Sequence, residues 1–306
     1  MNPESPTVTV LTPFLAADAP SKINLTLDVL ARREDGFHEI RSLVVGVDRR
    51  DRVRCRLTDR PGVAMRCSDP TLATEDNLCC RAAKLLASRI GVDPCVEIEV
   101  QKRIPIGGGL GGGSSDAAVV LGLCNRLWNA GLAESELAVI GAEVGSDVPL
   151  FFHLPAAVVR GRGEVVEPVV MAWAGCALLI SPPVSVSTPA VYNAWRVGDA
   201  EVRSTGDELA IRRCRSAGEL MPRLSNHLEP AVFRVAREVK RVYDTIEEAG
   251  LGPIRVSGAG ATMYRLFDNE SVARLAAGAV QRLGLGITTY IAAVPVGLGR
   301  TDSEES

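Results

Sequence analysis

Pro105-Ile106-Gly107-Gly108-Gly109-Leu110-Gly111-Gly112-Gly113-Ser114-Ser115-Asp116-Ala117-Ala118 is the stretch that decides the reading of this 306-residue chain. Six of the nine residues from Gly107 to Ser115 are glycine, so successive backbone N–H groups can approach a ligand with no Cβ in the way. A strand pattern leads in: Val96, Ile98 and Val100 alternate with Glu97, Glu99 and Gln101 before Pro105 stops it. An apolar helical segment, Asp116–Trp128, leads out. Strand, glycine loop and helix N-terminus together suit a polyphosphate, because the helix adds the positive end of its dipole to the loop amides. Ser114 and Ser115 stand where a hydroxyl can cap that helix or touch phosphate or its magnesium.

Other readings of the loop fail on particular residues. Gly107, Gly109 and Gly112 match G-x-G-x-x-G, but a dinucleotide fold carries that pattern on its first strand and ends the next strand in an acid. Here the chain near Glu134–Glu143 reads helical. A Walker A loop needs a Gly-Lys dipeptide, which the chain lacks, and a G-x-S-x-G elbow at Ser114 is broken by Asp116. A merely flexible connection leaves the flanking strand and helix unexplained, as well as Lys102 just upstream, one of only four lysines with Lys22, Lys84 and Lys240.

The rest of the composition sets limits. A net charge of −3 and a pI near 5.8 give no bulk reason for a nucleic-acid or acidic-membrane partner, so an anionic ligand must be held by a local site. The eight cysteines show no C-x-x-C pair and no metal-type spacing, and read as reduced cytosolic thiols. Residues 1–18 carry three prolines and no Lys or Arg, which reads as a loose N-terminal extension rather than a signal peptide. No apolar run reaches the ~20 residues needed to span a bilayer, and 301–306 is a polar tail.

Hydrophobic periodicity predicts strands over Lys22–Leu30, Leu43–Val47 and Val53–Leu57, helices over Asn77–Ile90 and Ser135–Val144, and a strand at Ala177–Ile180 before the Pro182-Pro183 break. One amphipathic helix is expected from Val232 to Ile246, followed by strands Ile254–Ser257 and Met263–Phe267, a helix Val272–Leu283 and a strand Ile287–Val294. This order predicts an α-β-β-α-β layer in a second domain, with no fixed-period repeat.

The glycine stretch resembles the central phosphate-loop motif of the GHMP kinases, in the longer form of the branch that acts on 4-diphosphocytidyl-2-C-methyl-D-erythritol. Further motifs of that branch follow in order: Ala19-Pro20-Ser21-Lys22-Ile23-Asn24-Leu25, Asp35-Gly36-Phe37-His38, Asp76-Asn77-Leu78, Gly145-Ser146-Asp147-Val148-Pro149, Ser187-Thr188-Pro189-Ala190-Val191-Tyr192 and Ser257-Gly258-Ala259-Gly260-Ala261. The likeness runs from about Ala19 to about Val294. It implies an α+β fold of two domains: a ribosomal-protein-S5-domain-2-like ATP-binding domain over 19–165 and a ferredoxin-like domain over 166–300.

It also implies roles. Lys22 and Asp147 would be catalytic, with Asp147 accepting the proton of the acceptor hydroxyl and Lys22 polarising it and keeping Asp147 ionised. Asn77, Lys102 and the loop from Pro105 and Ile106 to Ser115 would hold ATP with Mg2+, whose ligands the sequence does not name beyond Ser115. Phe37 and Tyr192 would stack on a cytosine whose edge His38 bonds, with Asn24 and Thr188 beside the substrate. Each has a plainer reading by itself: Asp147 as a turn aspartate, Lys22 as a solvated strand-end lysine, Phe37 and Tyr192 as core rings. The chain departs from the usual pattern at Phe37 (commonly Tyr), Ser146 (commonly Ala) and Ala259 (often Ser). The implied protein is a cytoplasmic monomer or homodimer that phosphorylates a small molecule, with no nucleic acid or membrane as partner. The rivals are a GHMP kinase acting on mevalonate, homoserine or a sugar, which lacks the Asp35–His38 and Thr188–Tyr192 segments, and a non-catalytic nucleotide-binding protein, which lacks Lys22 or Asp147.

Overall fold

The computed structural model describes residues 12–200 and 208–295. Its elements in chain order are β1 (Leu15–Asn24), β2 (Thr26–Arg32), β3 (His38–Leu57), β4 (Gly62–Cys67), α1 (Leu78–Ile90), β5 (Cys95–Gln101), α2 (Gly112–Leu127), α3 (Glu134–Val144), β6 (Ala156–Gly161), β7 (Val165–Pro168), β8 (Gly175–Ser181), α4 (Thr188–Ala194), α5 (Glu208–Arg213), α6 (Ala217–Leu220), β9 (Ser225–Asn226), α7 (Glu229–Val235), α8 (Arg237–Glu248), β10 (Arg255–Val256), β11 (Met263–Phe267), α9 (Glu270–Gln281) and β12 (Thr288–Val294). Contacts divide the chain into two units, one built from residues up to 19, 51–103 and 113–148, the other from 20–50, 104–112 and 149 onward.

In the first unit the second half of β3 pairs antiparallel with β5, from Arg52 opposite Gln101 to Leu57 opposite Val96, and β4 runs parallel to β5. Period-two alternation decides the faces. Val53, Cys55, Val96, Ile98 and Val100 are buried, while Arg54 and Arg56 pair across the other face with Glu99 and Glu97. Helix α1 packs on β4 and β5, and α3 packs on α1.

In the second unit the first half of β3 pairs with β2 and β6, β6 with β7, and β2 runs parallel to the short β9. A separate antiparallel sheet has the order β10-β11-β8-β12. Its chain order, β8, α7 with α8, β10, β11, α9, β12, is the split βαβ arrangement of a ferredoxin-like layer. The expected α-β-β-α-β succession is present. Leu178, Ile180, Val239, Val242, Ile246, Val256, Met263, Ala273 and Val280 share one buried cluster there.

Five expectations change. The single helix expected over Val232–Ile246 is two, because Ala236 leaves helical geometry (φ −125, ψ 82) between α7 and α8; apolar spacing runs on across that residue and cannot register its backbone angles. Leu43–Val47 and Val53–Leu57 belong to one 20-residue strand, β3, since the intervening charges sit on an extended backbone. The expected Lys22–Leu30 strand is divided at Leu25. Its first part starts as early as Leu15, inside the stretch expected to be loose, where the Phe14 ring lies under the Arg54 and Arg56 guanidinium groups and Asp18 pairs with Arg52. Helix α2 begins at Gly112, four residues before Asp116, so Ser114 and Ser115 lie in its first turn rather than at its cap. The 301–306 tail lies outside the described residues. Among the described residues no helix is long and apolar enough to cross a membrane, and all eight cysteines are free thiols.

Candidate active site

The glycine loop is held from behind by its carbonyls. Gly107 O accepts from Ala261 N at 3.2 Å, Gly108 O from Thr262 N at 3.1 Å, Gly109 O from Ser257 Oγ at 3.1 Å and Leu110 O from Lys22 N at 3.0 Å. In a planar trans peptide the N–H that follows a carbonyl points the opposite way. The amides of Gly108, Gly109, Leu110 and Gly111 are therefore turned away from their supports, as a row of donors. Gly109 and Gly111 have φ of 73 and 72, a region closed to most L-residues. A Cβ on Gly109 would press on the Ser257 carbonyl oxygen and lie 3.0 Å from Gly260 N and O; on Gly111 it would meet Phe151 Cζ at 2.8 Å and Lys22 Cγ at 3.1 Å.

The supporting segment is itself braced. Ser257 N donates to Thr262 O at 2.9 Å and Gly260 N to Ser257 O at 2.9 Å. The buried Asn226 amide donates to Val256 O at 3.0 Å and Gly258 O at 2.7 Å, and its oxygen accepts from Leu228 N at 2.9 Å. Thus two motifs 148 positions apart in sequence form one piece of backbone.

Lys22 stands on the same piece. Its Nζ donates to Asn24 Oδ1 at 2.7 Å, Asn24 Nδ2 donates to Ser42 Oγ at 2.8 Å, and Ser42 Oγ donates to Thr26 O at 2.5 Å. The fully buried Tyr264 hydroxyl donates to Asn24 O at 2.8 Å. A Cβ built on Gly258 would crowd Asn24 Oδ1 at 3.1 Å, the acceptor of the Lys22 ammonium. This polar chain fixes a buried lysine through the Asn24 side-chain oxygen.

In the first unit the residues expected at the nucleotide have other duties. Lys102 Nζ pairs with Asp51 and, at 2.7 Å, with Asp116 in the first turns of α2. Burial pushes the Asp116 carboxyl up to about 7; Lys102 opposes that shift and the Asp51 charge adds to it. Burial also acts to lower Lys102, but the two carboxylates outweigh it and leave the ammonium raised. One cation between two buried carboxylates retains a proton on the pair near neutrality. Asn77 caps α1: its Oδ1 accepts from Cys79 N at 2.9 Å and its Nδ2 donates to Leu72 O at 2.8 Å. Ser115 is fully buried, and its Oγ has no partner among the described residues. Asp147 is half-buried in the turn after α3, where Val148 N donates to Gly145 O at 3.1 Å.

The aromatic group gathers in the second unit. His38 is buried with its ring 5.1 Å from Tyr192 and 5.7 Å from Trp195, the latter edge-on at 81°. Burial, and then the Arg32 charge, lower the His38 imidazole below its ordinary value, so it is neutral at pH 7, with one nitrogen donating and the other accepting. Phe37 is 48% exposed, and the Arg162 guanidinium lies 5.2 Å over its ring. Thr188 opens α4, capped by Ser187, and is exposed. The structure therefore brings Lys22, Asn24 and the loop together, and separately joins His38 to Tyr192.

Sequence reasoning missed Asp51, Asn226, Tyr264, Arg162 and Trp195. Asp51 hides in a run of charges that reads as a solvated surface, yet it is fully buried. The Trp195 Nε1–H is buried with no partner among the described residues, a situation that costs about 1–3 kcal/mol. A tryptophan among so few aromatics, three residues past Tyr192, was the available signal.

Comparison with known proteins yields two family models: residues 77–154 match the GHMP kinases N terminal domain and 207–284 the GHMP kinases C terminal model. A 4-diphosphocytidyl-2-C-methyl-D-erythritol kinase of Shouchella clausii (strain KSM-K16) is 37% identical over 254 residues, 83% of this chain and 86% of that one. The Geobacter sp. (strain M21) enzyme of the same name is 38% identical over 273 residues, covering 86% and 93%. The crystal structure of a 4-(cytidine 5'-diphospho)-2C-methyl-D-erythritol kinase superposes with a TM-score of 0.76 at 33% identity, covering 92% of this chain and all of that one. A homoserine kinase from Cytophaga hutchinsonii reaches 0.71 at 19% identity, which speaks for the shared fold alone.

Proposed function

The chain belongs to the GHMP kinases, in the 4-diphosphocytidyl-2-C-methyl-D-erythritol kinase family, and from that premise we propose how its residues divide the reaction. It transfers the γ-phosphoryl group of ATP to the 2-hydroxyl of 4-diphosphocytidyl-2-C-methyl-D-erythritol, a step toward isoprenoid precursors. Phosphoryl transfer needs positioning and charge stabilisation more than covalent chemistry. The observation that carries the reading is the set of four anchored loop carbonyls, which aim the amides of Gly108–Gly111 away from their supports before any nucleotide arrives.

In our reading the loop amides and the first turn of α2 hold the phosphates. Lys22, fixed through Asn24, polarises the acceptor hydroxyl, and Asp147 takes its proton, a contribution of typically ~10²–10⁴-fold. Phe37 and Tyr192 hold the cytosine between them, and neutral His38 bonds its edge. Asn77 and Lys102 serve the nucleotide site indirectly, through the start of α1 and the first turns of α2. Mg2+ would neutralise charge on the phosphate oxygens; the orphaned Ser115 Oγ is the protein oxygen suited to it, and among the described residues no group of three or more His, Cys, Asp or Glu side chains could hold a metal. The domains divide at about 165/166, and the protein works in the cytoplasm as a monomer or homodimer without nucleic acid.

The test is ADP release from Mg-ATP with diphosphocytidyl-methylerythritol, mevalonate or homoserine as acceptor. Turnover is expected with the first alone, and Lys22→Met and Asp147→Asn should each lose at least about a hundredfold in kcat while retaining the wild-type melting temperature. Turnover of mevalonate or homoserine in place of the cytidyl substrate would overturn the substrate assignment, and near-native kcat in either variant would remove that residue from the proton transfer.

A further inference from the structure

We propose that Trp195 is an additional base-recognition residue, its indole N–H donating to the carbonyl oxygen of the pyrimidine held at His38 and Tyr192. The proposal rests on the cytidine reading of that site. Three observations in the second unit converge on it. Trp195 closes α4 three residues after Tyr192, its backbone N–H reaching Tyr192 O at 3.3 Å, and both rings lie against His38, at 5.1 Å for Tyr192 and 5.7 Å for Trp195. Its segment is clamped: Arg234 donates to Ala194 O at 2.8 Å and pairs with Asp199, which also accepts from Arg196 N at 2.8 Å. Trp195 Nε1 is nevertheless buried without a partner among the described residues, whereas Trp173, the structural tryptophan of the same unit, donates from Nε1 to Asp268 at 2.6 Å.

A buried donor left unpaired next to recognition side chains is complementary to an acceptor supplied by the ligand. An indole can only donate, so that acceptor is a carbonyl or ring nitrogen rather than an amino group. Cytosine O2 has this chemistry, and neutral His38 can serve the rest of the base edge. The expected specificity is for a base that presents such an acceptor, as cytosine does, over inorganic diphosphate, which has no base to offer.

The experiment uses the full-length protein and Trp195→Phe, which retains an apolar ring and removes only the donor. Titration with CDP, followed by tryptophan emission and calorimetry, should show wild-type binding and about tenfold weaker binding in the variant, equivalent to about 1.4 kcal/mol. KM for the cytidyl substrate should rise by a similar factor while kcat stays within about twofold. The melting temperature of the ligand-free variant should be equal or higher, because its fold no longer buries an unpaired N–H. A purely structural Trp195 would give the reverse: a lower melting temperature with CDP affinity and KM unchanged, and that result overturns the proposal alone. Absence of CDP binding by the wild type would overturn it together with the cytidine reading.

Discussion

Gly109→Ala is the perturbation from which the loop geometry has most to lose. At φ 73 a Cβ-bearing residue costs roughly 1–2 kcal/mol in the left-handed region. The new methyl would also press on the Ser257 carbonyl and crowd Gly260 N and O at 3.0 Å, all backbone atoms that cannot rotate aside. Relief requires the loop and the Ser257–Thr262 segment to separate, which threatens three hydrogen bonds, at Gly107 O, Gly108 O and Gly109 O, each worth about 1 kcal/mol net. The expected loss is therefore about 3–5 kcal/mol from the urea midpoint at constant m-value, with a much weaker affinity for ATP. Gly113→Ala is the paired control. Its Cβ would meet only Leu78 Cδ1, at 3.8 Å, and within α2 alanine should gain roughly 0.5–1 kcal/mol over glycine. If Gly109→Ala unfolds within about 1 kcal/mol of wild type and binds ATP normally, the carbonyl anchoring described above is not what shapes the site.

Two pH experiments test the electrostatics. The folded chain holds the Asp116 proton up to about 7, whereas an unfolded aspartate releases it near about 3.9, so this group erodes stability as pH rises from about 4 to about 7 and the loss persists above that. Asp116→Asn should therefore become more stable relative to wild type between pH 5 and pH 8, by an amount on the order of a few kcal/mol in urea titrations; parallel pH profiles for the two proteins would refute the shared-proton account. His38 has a lowered value, so its neutral form is present above the ordinary histidine range and is lost only on acidification below about 6.5. KM for the cytidyl substrate should be flat from pH 7 upward and rise toward pH 5, and His38→Gln should abolish that acid limb; an unchanged limb in the variant assigns it elsewhere.

The loop and most elements were legible because their signals are local. Glycine density at Gly107–Gly113, alternation at Val96–Val100 and the amphipathic positions around Val239–Ile246 each declare themselves within a dozen residues. What holds the loop was not legible in physical terms. Ser257, Ala261 and Thr262 are small residues like many others, and only topology assigns their groups to particular carbonyls. Lys102 stood out by rarity, but its partners could not be read, since burial of Asp51 depends on the continuity of β3 through a charged run. Ala236 shows the opposite limit: the apolar period is unbroken where the backbone is not.

The anchoring of Gly109 by Ser257 also sets an order of assembly. During synthesis the glycine stretch leaves the ribosome 148 residues ahead of the hydroxyl that holds it, an interval of very roughly 7–30 s at ~5–20 residues per second. For that interval the loop is a glycine-rich segment with a high conformational entropy, and of its four carbonyl supports only Lys22 N has been made. A product terminated before Ser257 therefore carries the complete phosphate-loop sequence without three of the four contacts that direct it.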